Sequence, residues 1–335
     1  MTKELELWQF IADRLQAGQR VVLLVVAASY GSSPGRPGYK MAIAASGELI
    51  GSIGGGVMEV DLVEYCRSIL SGQVAMVNGL SLEQVHRRNV PNSSGMICSG
   101  KQTVIFKMLS DDDLSVVESA ANGVKDRDGS CLIVTAGAID VASPNGGDQN
   151  GPQSDLTFTR RSDADFKYSE RLGVKNDLYI VGGGHCALAL SELMSKIGFH
   201  ILLFDDRPHL NTIAKNRYAN EIKLIDGYDE IGRHIDSDDR AYVVVMTLGY
   251  RSDAVVIRPL LDKDFKYFGV LGSKAKMATL YRELVEEGFS SDRLQRIRTP
   301  IGLPINSHSP EEIAVSIAGE IISIKNGADM EPLSQ

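Results

Sequence analysis

Residues 178–206 read LYIVGGGHCALALSELMSKIGFHILLFDD, and the reading of this stretch decides the fold. Leu178, Tyr179, Ile180 and Val181 are a short apolar run, as expected of a strand buried on both faces. Gly182, Gly183 and Gly184 follow at once. A helix then carries Leu188, Leu190, Leu193, Met194 and Ile197 as its apolar positions, and Gly198 stops it. Residues 200–204 form a second strand, which runs into Asp205 and Asp206. This order matches the dinucleotide-binding fingerprint G-x-G-x-x-G/A, in which an acid stands about 20 residues beyond the first glycine. Gly182, Gly184 and Ala187 fill the glycine and small positions.

Each position has a physical reason. Gly182 permits a tight turn, Gly184 keeps no side chain between backbone and a pyrophosphate, and Ala187 lets the helix lie close to the strands. The free N–H groups and positive dipole end of the helix face an anion. Asp205 is placed to accept hydrogen bonds from a ribose, and its charge would repel a 2′-phosphate. His185 follows the turn directly, where a side chain points into a ligand crevice or caps the helix. The glycines alone would also suit a plain βα turn. The complete set of strand, helix, second strand and acid favours a binding site.

Beyond Asp206 the alternation continues, with strands at 222–225, 242–246 and 267–270 and helices at 255–261 and 275–287. That pattern implies a parallel sheet with right-handed crossovers, whose ligands bind beyond the carboxyl ends of the strands. Thr247, Gly249, Arg251 and Asp253 follow one such end; Gly272, Ser273 and Lys274 follow another. Lys274, at a helix start, is placed to reach an anion, with a solvated lysine as the equal alternative. Pro310, Glu311 and Glu312 open a last helix through residue 324.

Ahead of the fingerprint lies a second α/β unit. A helix at 5–15 and a buried strand at 21–28 precede SYGSSPGRPG (29–38), which is too rich in Gly, Ser and Pro for regular structure. Strands at 39–44 and 48–51 flank a Ser46–Gly47 turn. Gly54, Gly55 and Gly56 then open a helix at 57–70, a second candidate anion site, with Glu59 complementing the dipole. Residues 82–100 read as irregular, 103–109 as a strand, 112–122 as a short helix and 131–136 as a strand. A polar loop at 143–155 leads to a strand at 156–159. The fold class is α/β: a C-terminal Rossmann-like doubly wound parallel sheet (173–335) plus an N-terminal α/β domain (1–172).

Composition excludes several classes. The net charge of −8 argues against a nucleic-acid or anionic-membrane surface. No apolar run approaches the ~20 residues that span a bilayer. The amphipathic start, with Glu4, Glu6 and Asp13, is not a signal peptide. The four cysteines, Cys66, Cys98, Cys131 and Cys186, form no C-x-x-C pair, which suits a reducing cytoplasm and no structural zinc. Cys98 lies in a Ser/Gly-flanked loop, a better place for a thiolate or soft-metal ligand than the apolar settings of Cys66 and Cys131. No Ser-His-Asp, HExxH or P-loop arrangement appears, so the chain lacks an evident catalytic constellation.

Several motifs in order give a further reading: GSSPGRPGYKM (31–41), GSIGGGVMEVDLVE (51–64), the fingerprint through DDRP (179–208), YFGVLGSKAK (267–276) and PIGLPINSHSPEEIAVSIAGEII (300–322). Across nearly its whole length the chain resembles the XdhC/CoxI family, accessory proteins that mature molybdenum hydroxylases such as xanthine dehydrogenase. The resemblance implies an accessory protein rather than an enzyme. It would bind molybdenum cofactor, as molybdopterin or its dinucleotide form, and protect it while the terminal sulfur is installed with a cysteine desulfurase. It would then deliver the cofactor to an apo-hydroxylase of purine catabolism. Four positions depart from the family pattern: Ser99 where many members have glycine, Leu248 and Tyr250 where many have histidines, and Val57 where some have cysteine.

On this reading one glycine turn holds the cofactor phosphate and Cys98 approaches the molybdenum or its sulfur. Two other readings stay open: an NAD(P)-dependent oxidoreductase, with Asp205 on the ribose and His185 near the nicotinamide, and a scaffold subunit without catalysis. A homodimer would be unsurprising.

Overall fold

The computed structural model describes residues 2–75, 79–86, 100–143, 155–173 and 176–327. The chain divides into two compact units, Met1–Val174 and Lys175–Gln335.

The first unit contains α1 (Lys3–Gln16), β1 (Val21–Gly31), β2 (Lys40–Ala44), β3 (Leu49–Gly51), α2 (Gly56–Leu70), β4 (Leu80–His86), β5 (Gly100–Leu109), α3 (Leu114–Asp126), β6 (Cys131–Thr135), β7 (Ile139–Ala142), β8 (Leu156–Ser162) and β9 (Asp165–Arg171). An antiparallel sheet runs β3-β2-β1-β5-β4, and a second runs β7-β6-β9-β8. The apolar run that opens β1 is explained by burial on both faces. Val21, Leu23 and Val25 pack with Trp8 and Ile11 of α1, whereas Val22, Leu24 and Val26 pack with Leu62, Val63 and Cys66 of α2. Each fully buried Val or Leu contributes about 1.5–3 kcal/mol.

Three expectations are corrected here. β1 continues through Gly31, because Ser29, Tyr30 and Gly31 pair with Gln102, Lys101 and Gly100. Residues 80–86 are a strand, β4, rather than irregular. Its buried positions include Ser81 and Gln84, which hide the apolar alternation. β7 and β9 have no counterpart in the sequence reading; in β9 only Phe166 and Tyr168 supply the inward pattern. Cys98 and most of the 143–155 loop lie outside the described residues.

The second unit contains β10 (Asp177–Val181), α4 (His185–Lys196), β11 (His200–Asp205), α5 (Asn211–Lys215), β12 (Glu221–Leu224), a 3₁₀ turn (Tyr228–Arg233), β13 (Asp238–Val245), α6 (Tyr250–Leu260), β14 (Phe265–Val270), α7 (Lys274–Glu286), α8 (Ser291–Leu294) and α9 (Pro310–Lys325). The sheet is parallel, in the order β12-β11-β10-β13-β14. One face packs Leu178 and Ile180 against Leu190 and Met194 of α4 and Ile317 and Ile321 of α9. The other packs Val181, Val243 and Val245 against Val256 and Ile257 of α6 and Leu280 and Leu284 of α7. α9 starts on a capping box, Ser309 with Glu312, and carries Pro310 in its first turn. Among the described residues no helix is long and apolar enough to cross a membrane.

Candidate functional site

β10 and β13 are neighbours, yet the chain leaves β10 toward β11 and leaves β13 toward β14 on the opposite side. Such a switch point opens a crevice beyond the carboxyl ends of the two strands. Gly182 closes one end of β10 at φ 109°, a conformation that L side chains rarely adopt. A Cβ there would lie 2.4 Å from the Met246 carbonyl oxygen, so the position accepts only glycine. Gly183 is packed against Ile213, where a Cβ would meet a side-chain carbon at 2.7 Å. Thr212 of α5 donates to the Gly183 carbonyl and fixes the turn from outside.

Gly184 differs from both. Its φ is −71°, it stands at the N-cap of α4 with no side-chain cap, and nothing lies within 4 Å of the place a Cβ would take. The first turn of α4 therefore leaves its amides open to a ligand. His185 is exposed at the first helical position, and Ala187 is buried against the sheet, as the fingerprint requires.

Asp205 corrects the sequence reading. Its side chain is 0% exposed. Oδ2 accepts the Gly183 amide at 2.6 Å and Arg207 Nη2 at 2.7 Å; Oδ1 accepts the Arg207 amide at 2.8 Å and Nε at 2.9 Å. Burial works against its charge, but the hydrogen bonds from Arg207 and Gly183 prevail and hold its carboxyl below the usual carboxylate range. Asp205 is thus turned inward rather than toward a ribose. The physical reason is the Gly183 amide, which needs an acceptor inside the packed turn.

Across the crevice, Asp253 of α6 is also 0% exposed. Its Oδ1 accepts the Thr247 hydroxyl at 2.5 Å and the Thr247 amide at 3.3 Å, and its Oδ2 holds Lys276 Nζ at 2.6 Å. The lysine that enters this edge is Lys276 of α7, which sequence reasoning passes over. Its partner is 23 residues away, and no local spacing links the two. Ser273, expected to face a ligand, caps α7 by accepting the Lys276 amide at 3.3 Å. The side chain of Lys274 lies outside the described residues.

The turn at Gly54, Gly55 and Gly56 keeps positive φ at all three glycines. A Cβ on Gly54 would lie 2.5 Å from the Gly35 amide nitrogen, so this turn packs directly on the 31–38 loop. Gln102 ties that loop down, accepting from Ser33 Oγ at 2.9 Å and the Gly35 amide at 3.2 Å while donating to Gln84 at 2.9 Å. The expected anion is already supplied from within. Oε2 of Glu59 accepts Ser52 Oγ at 2.7 Å, the Ile53 amide at 2.8 Å and the Gly55 amide at 2.9 Å. The Ile53 and Gly55 amides are thus taken by the chain's own carboxylate, whereas the first turn of α2 itself carries no side-chain cap.

Cys98 lies outside the described residues. Among those described, no group of three or more His, Cys, Asp or Glu is arranged to hold a metal ion. Burial pushes the Cys66 thiol up to about 12, and burial together with Glu311 raises that of Cys186. Neither is a ready thiolate.

With this geometry in place, likeness to known proteins is informative. Residues 178–321 match the XdhC Rossmann domain and residues 14–78 match the XdhC and CoxI family. The uncharacterized protein YqeB of Escherichia coli K12 is 25% identical over 157 residues, 47% of this chain and 28% of that protein. A probable xanthine dehydrogenase subunit from Bacillus subtilis 168 is 28% identical over 159 residues, 47% of this chain and 46% of that one. The match thus spans less than half the length of these curated relatives. The crystal structure of a xanthine dehydrogenase from Bacillus halodurans superposes with a TM-score of 0.72 at 21% identity, over 100% of this chain and 98% of the other, which shows a shared fold. With both units matched in order, the chain belongs to the XdhC and CoxI family.

Proposed function

We propose that the chain is a chaperone for molybdenum cofactor. It takes the cofactor as cargo, shields it, supports installation of its terminal sulfur by a cysteine desulfurase, and passes it to a hydroxylase of the xanthine dehydrogenase type. Family membership and the relative described as a probable xanthine dehydrogenase subunit support the client class. The observation that carries the binding claim is the open, uncapped N-terminus of α4 at the switch point, with Gly184 leaving room beside it.

The cargo fits this place chemically. A phosphate of molybdopterin, or the pyrophosphate of its dinucleotide form, would accept from the first-turn amides and meet the positive end of the α4 dipole. The cofactor brings the redox-active molybdenum. This chain supplies the phosphate cradle, the packed walls of the crevice and, in this reading, a Cys98 thiolate toward the metal or its sulfur.

The test is anaerobic. The purified chain is mixed with molybdenum cofactor, freed of unbound ligand, and assayed for bound molybdenum and pterin, with NAD(H) in parallel. Near-stoichiometric pterin with metal and weak NAD(H) is expected. Tight NAD(H) with no pterin would overturn the proposal, and loss of binding in Gly184→Asp but not in Cys98→Ala would remove the cysteine from it.

A further inference from the structure

A cavity of about 680 Å³ opens in the first unit, which does not contain the glycine turn at α4. That volume suits a small organic ligand. Its walls are the start of α1, the segments 38–40 and 50–52, and Glu170 of β9. Leu7 and Ile50 give it an apolar side, and Tyr39 adds a ring on a residue that is 47% exposed. The charged groups on its walls are three carboxylates, Glu4, Glu6 and Glu170, and two ammonium groups, Lys3 and Lys40.

One wall is a buried charge cluster. Nζ of Lys40, whose side chain is 6% exposed, lies 2.6 Å from Glu170 Oε2, 3.2 Å from the Gly38 carbonyl oxygen and 3.5 Å from Glu4 Oε1. An ammonium has three N–H donors, and these three acceptors take them all. Burial works against the Lys40 charge, but Glu170 and Glu4 outweigh it and hold the pKa above the usual lysine value. Lys40 therefore has no donor left for an incoming anion. Glu170 is different. Its Oε2 also accepts the buried Tyr168 hydroxyl at 2.7 Å, whereas Oε1 receives no hydrogen bond from a described residue. A Cβ at Gly38 would lie 3.2 Å from Oε1, so glycine at this point of the wall keeps that oxygen uncovered. Glu6 is half-buried and has no ion-pair partner among the described residues. A buried ion cluster is a weak source of stability, since apolar side chains of like volume serve as well. On a cavity wall it has another use, because it fixes a carboxylate whose free oxygen needs a donor.

We infer that this cavity binds a small organic cation, an amine or guanidinium carried on an apolar frame. The N–H groups of the ligand donate to Glu170 Oε1 and Glu6, and its frame lies along Leu7, Ile50 and the Tyr39 ring. The cation also balances the excess of carboxylates over ammonium groups on the walls. An anion finds no such complement. The Lys40 donors are spent, and Lys3 is exposed at the helix start, where water and salt screen it. The site lies in a different unit from α4 and does not rest on the cofactor site proposed above.

The test uses the full chain and four probes of like size, by calorimetry: butylguanidinium, butylammonium, neutral butylurea and anionic valerate. At least one cation should bind about tenfold or more tightly than butylurea, and valerate should not bind. Glu170→Gln should remove that preference. Because it also leaves Lys40 short of a partner, its thermal midpoint is measured alongside, and Glu6→Gln serves as the second variant. Glu6→Gln should weaken cation binding about threefold with the midpoint unchanged. Gly184→Asp, at the other site, should leave cation binding as it is. Binding of butylurea equal to that of the cations, preference for valerate, or cation binding that survives both glutamine variants would overturn the inference. So would the absence of binding by any probe, including the case in which only an arginine-containing peptide binds.

Discussion

The carboxylate of Asp205 accepts the amide of Gly183 at 2.6 Å, so the acid that ends β11 closes the glycine turn that follows β10. The same device recurs. Glu59 accepts the Gly55 amide, Asp253 the Thr247 amide and Glu312 the Ser309 amide. At each of these loops a carboxylate from the chain itself takes amides that an outside anion would otherwise take. The N-termini of α2, α4 and α6 carry no side-chain cap of their own, and that of α4 directly follows the glycine turn after β10, at the switch point of the parallel sheet.

Asp205→Asn should therefore act on stability before it acts on binding. It removes the charge that Arg207 faces inside the turn, at a cost of about 3 kcal/mol, measurable by denaturant unfolding. The pH dependence has a definite sign. The folded-state pKa of Asp205 is depressed, so its contribution is complete above the unfolded value of about 3.9 and is lost as pH falls through the folded one. The unfolding free energy of the wild type should drop below about pH 4. The variant should show a shallower drop, and equal slopes would refute the ion pair.

Gly182→Ala and Gly184→Asp separate fold from site, although the two positions belong to one fingerprint. Alanine at 182 meets a carbonyl oxygen at 2.4 Å with φ 109°, and should cost on the order of 3 kcal/mol. Aspartate at 184 fits φ −71° and gains an N-cap, so stability should hold or rise by a few tenths of a kcal/mol. Its charge stands where the phosphate would lie, so pterin binding should fail. A Gly184→Asp protein that unfolds early, or that still binds, would contradict this placement.

Lys276→Met should reveal how deeply Asp253 depends on its partner. Asp253 is fully buried, and losing Nζ at 2.6 Å leaves an uncompensated charge, at about 3 kcal/mol. The double variant with Asp253→Asn should recover part of that loss, and a double-mutant cycle measures the coupling. Additive losses would mean that the two side chains act independently.

The architecture is legible in the sequence because its signals are local. The run Leu178–Val181, three glycines and a small residue on the next helix need only neighbours to be read, and they yield the parallel sheet. The site is less legible, because its decisive contacts are long-range. Nothing near Asp205 in sequence says that Gly183 lacks another acceptor, and nothing near Lys276 points to Asp253. β4 escapes a sequence reading for a related reason. Ser81 and Gln84 are buried but polar, and Gln84 is satisfied by Gln102, 18 residues away. Periodicity counts side-chain polarity, whereas burial depends on whether a partner arrives.

Glu59→Ala offers a test of self-capping away from the Rossmann unit. Removing the carboxylate strips the Ile53 and Gly55 amides and the Ser52 hydroxyl of a shared acceptor, at about 1–3 kcal/mol. The vacated cradle is a set of N–H groups at the start of α2, which has no side-chain N-cap. Inorganic phosphate should then stabilise the variant more than the wild type, raising its thermal midpoint in a concentration-dependent way. Glu59→Gln, which keeps a carbonyl oxygen at the same reach, should restore most of the stability and abolish the phosphate response. If phosphate raises both proteins equally, the amides of this turn do not form an anion site even when uncovered, and Glu59 serves only as a dipole partner for α2.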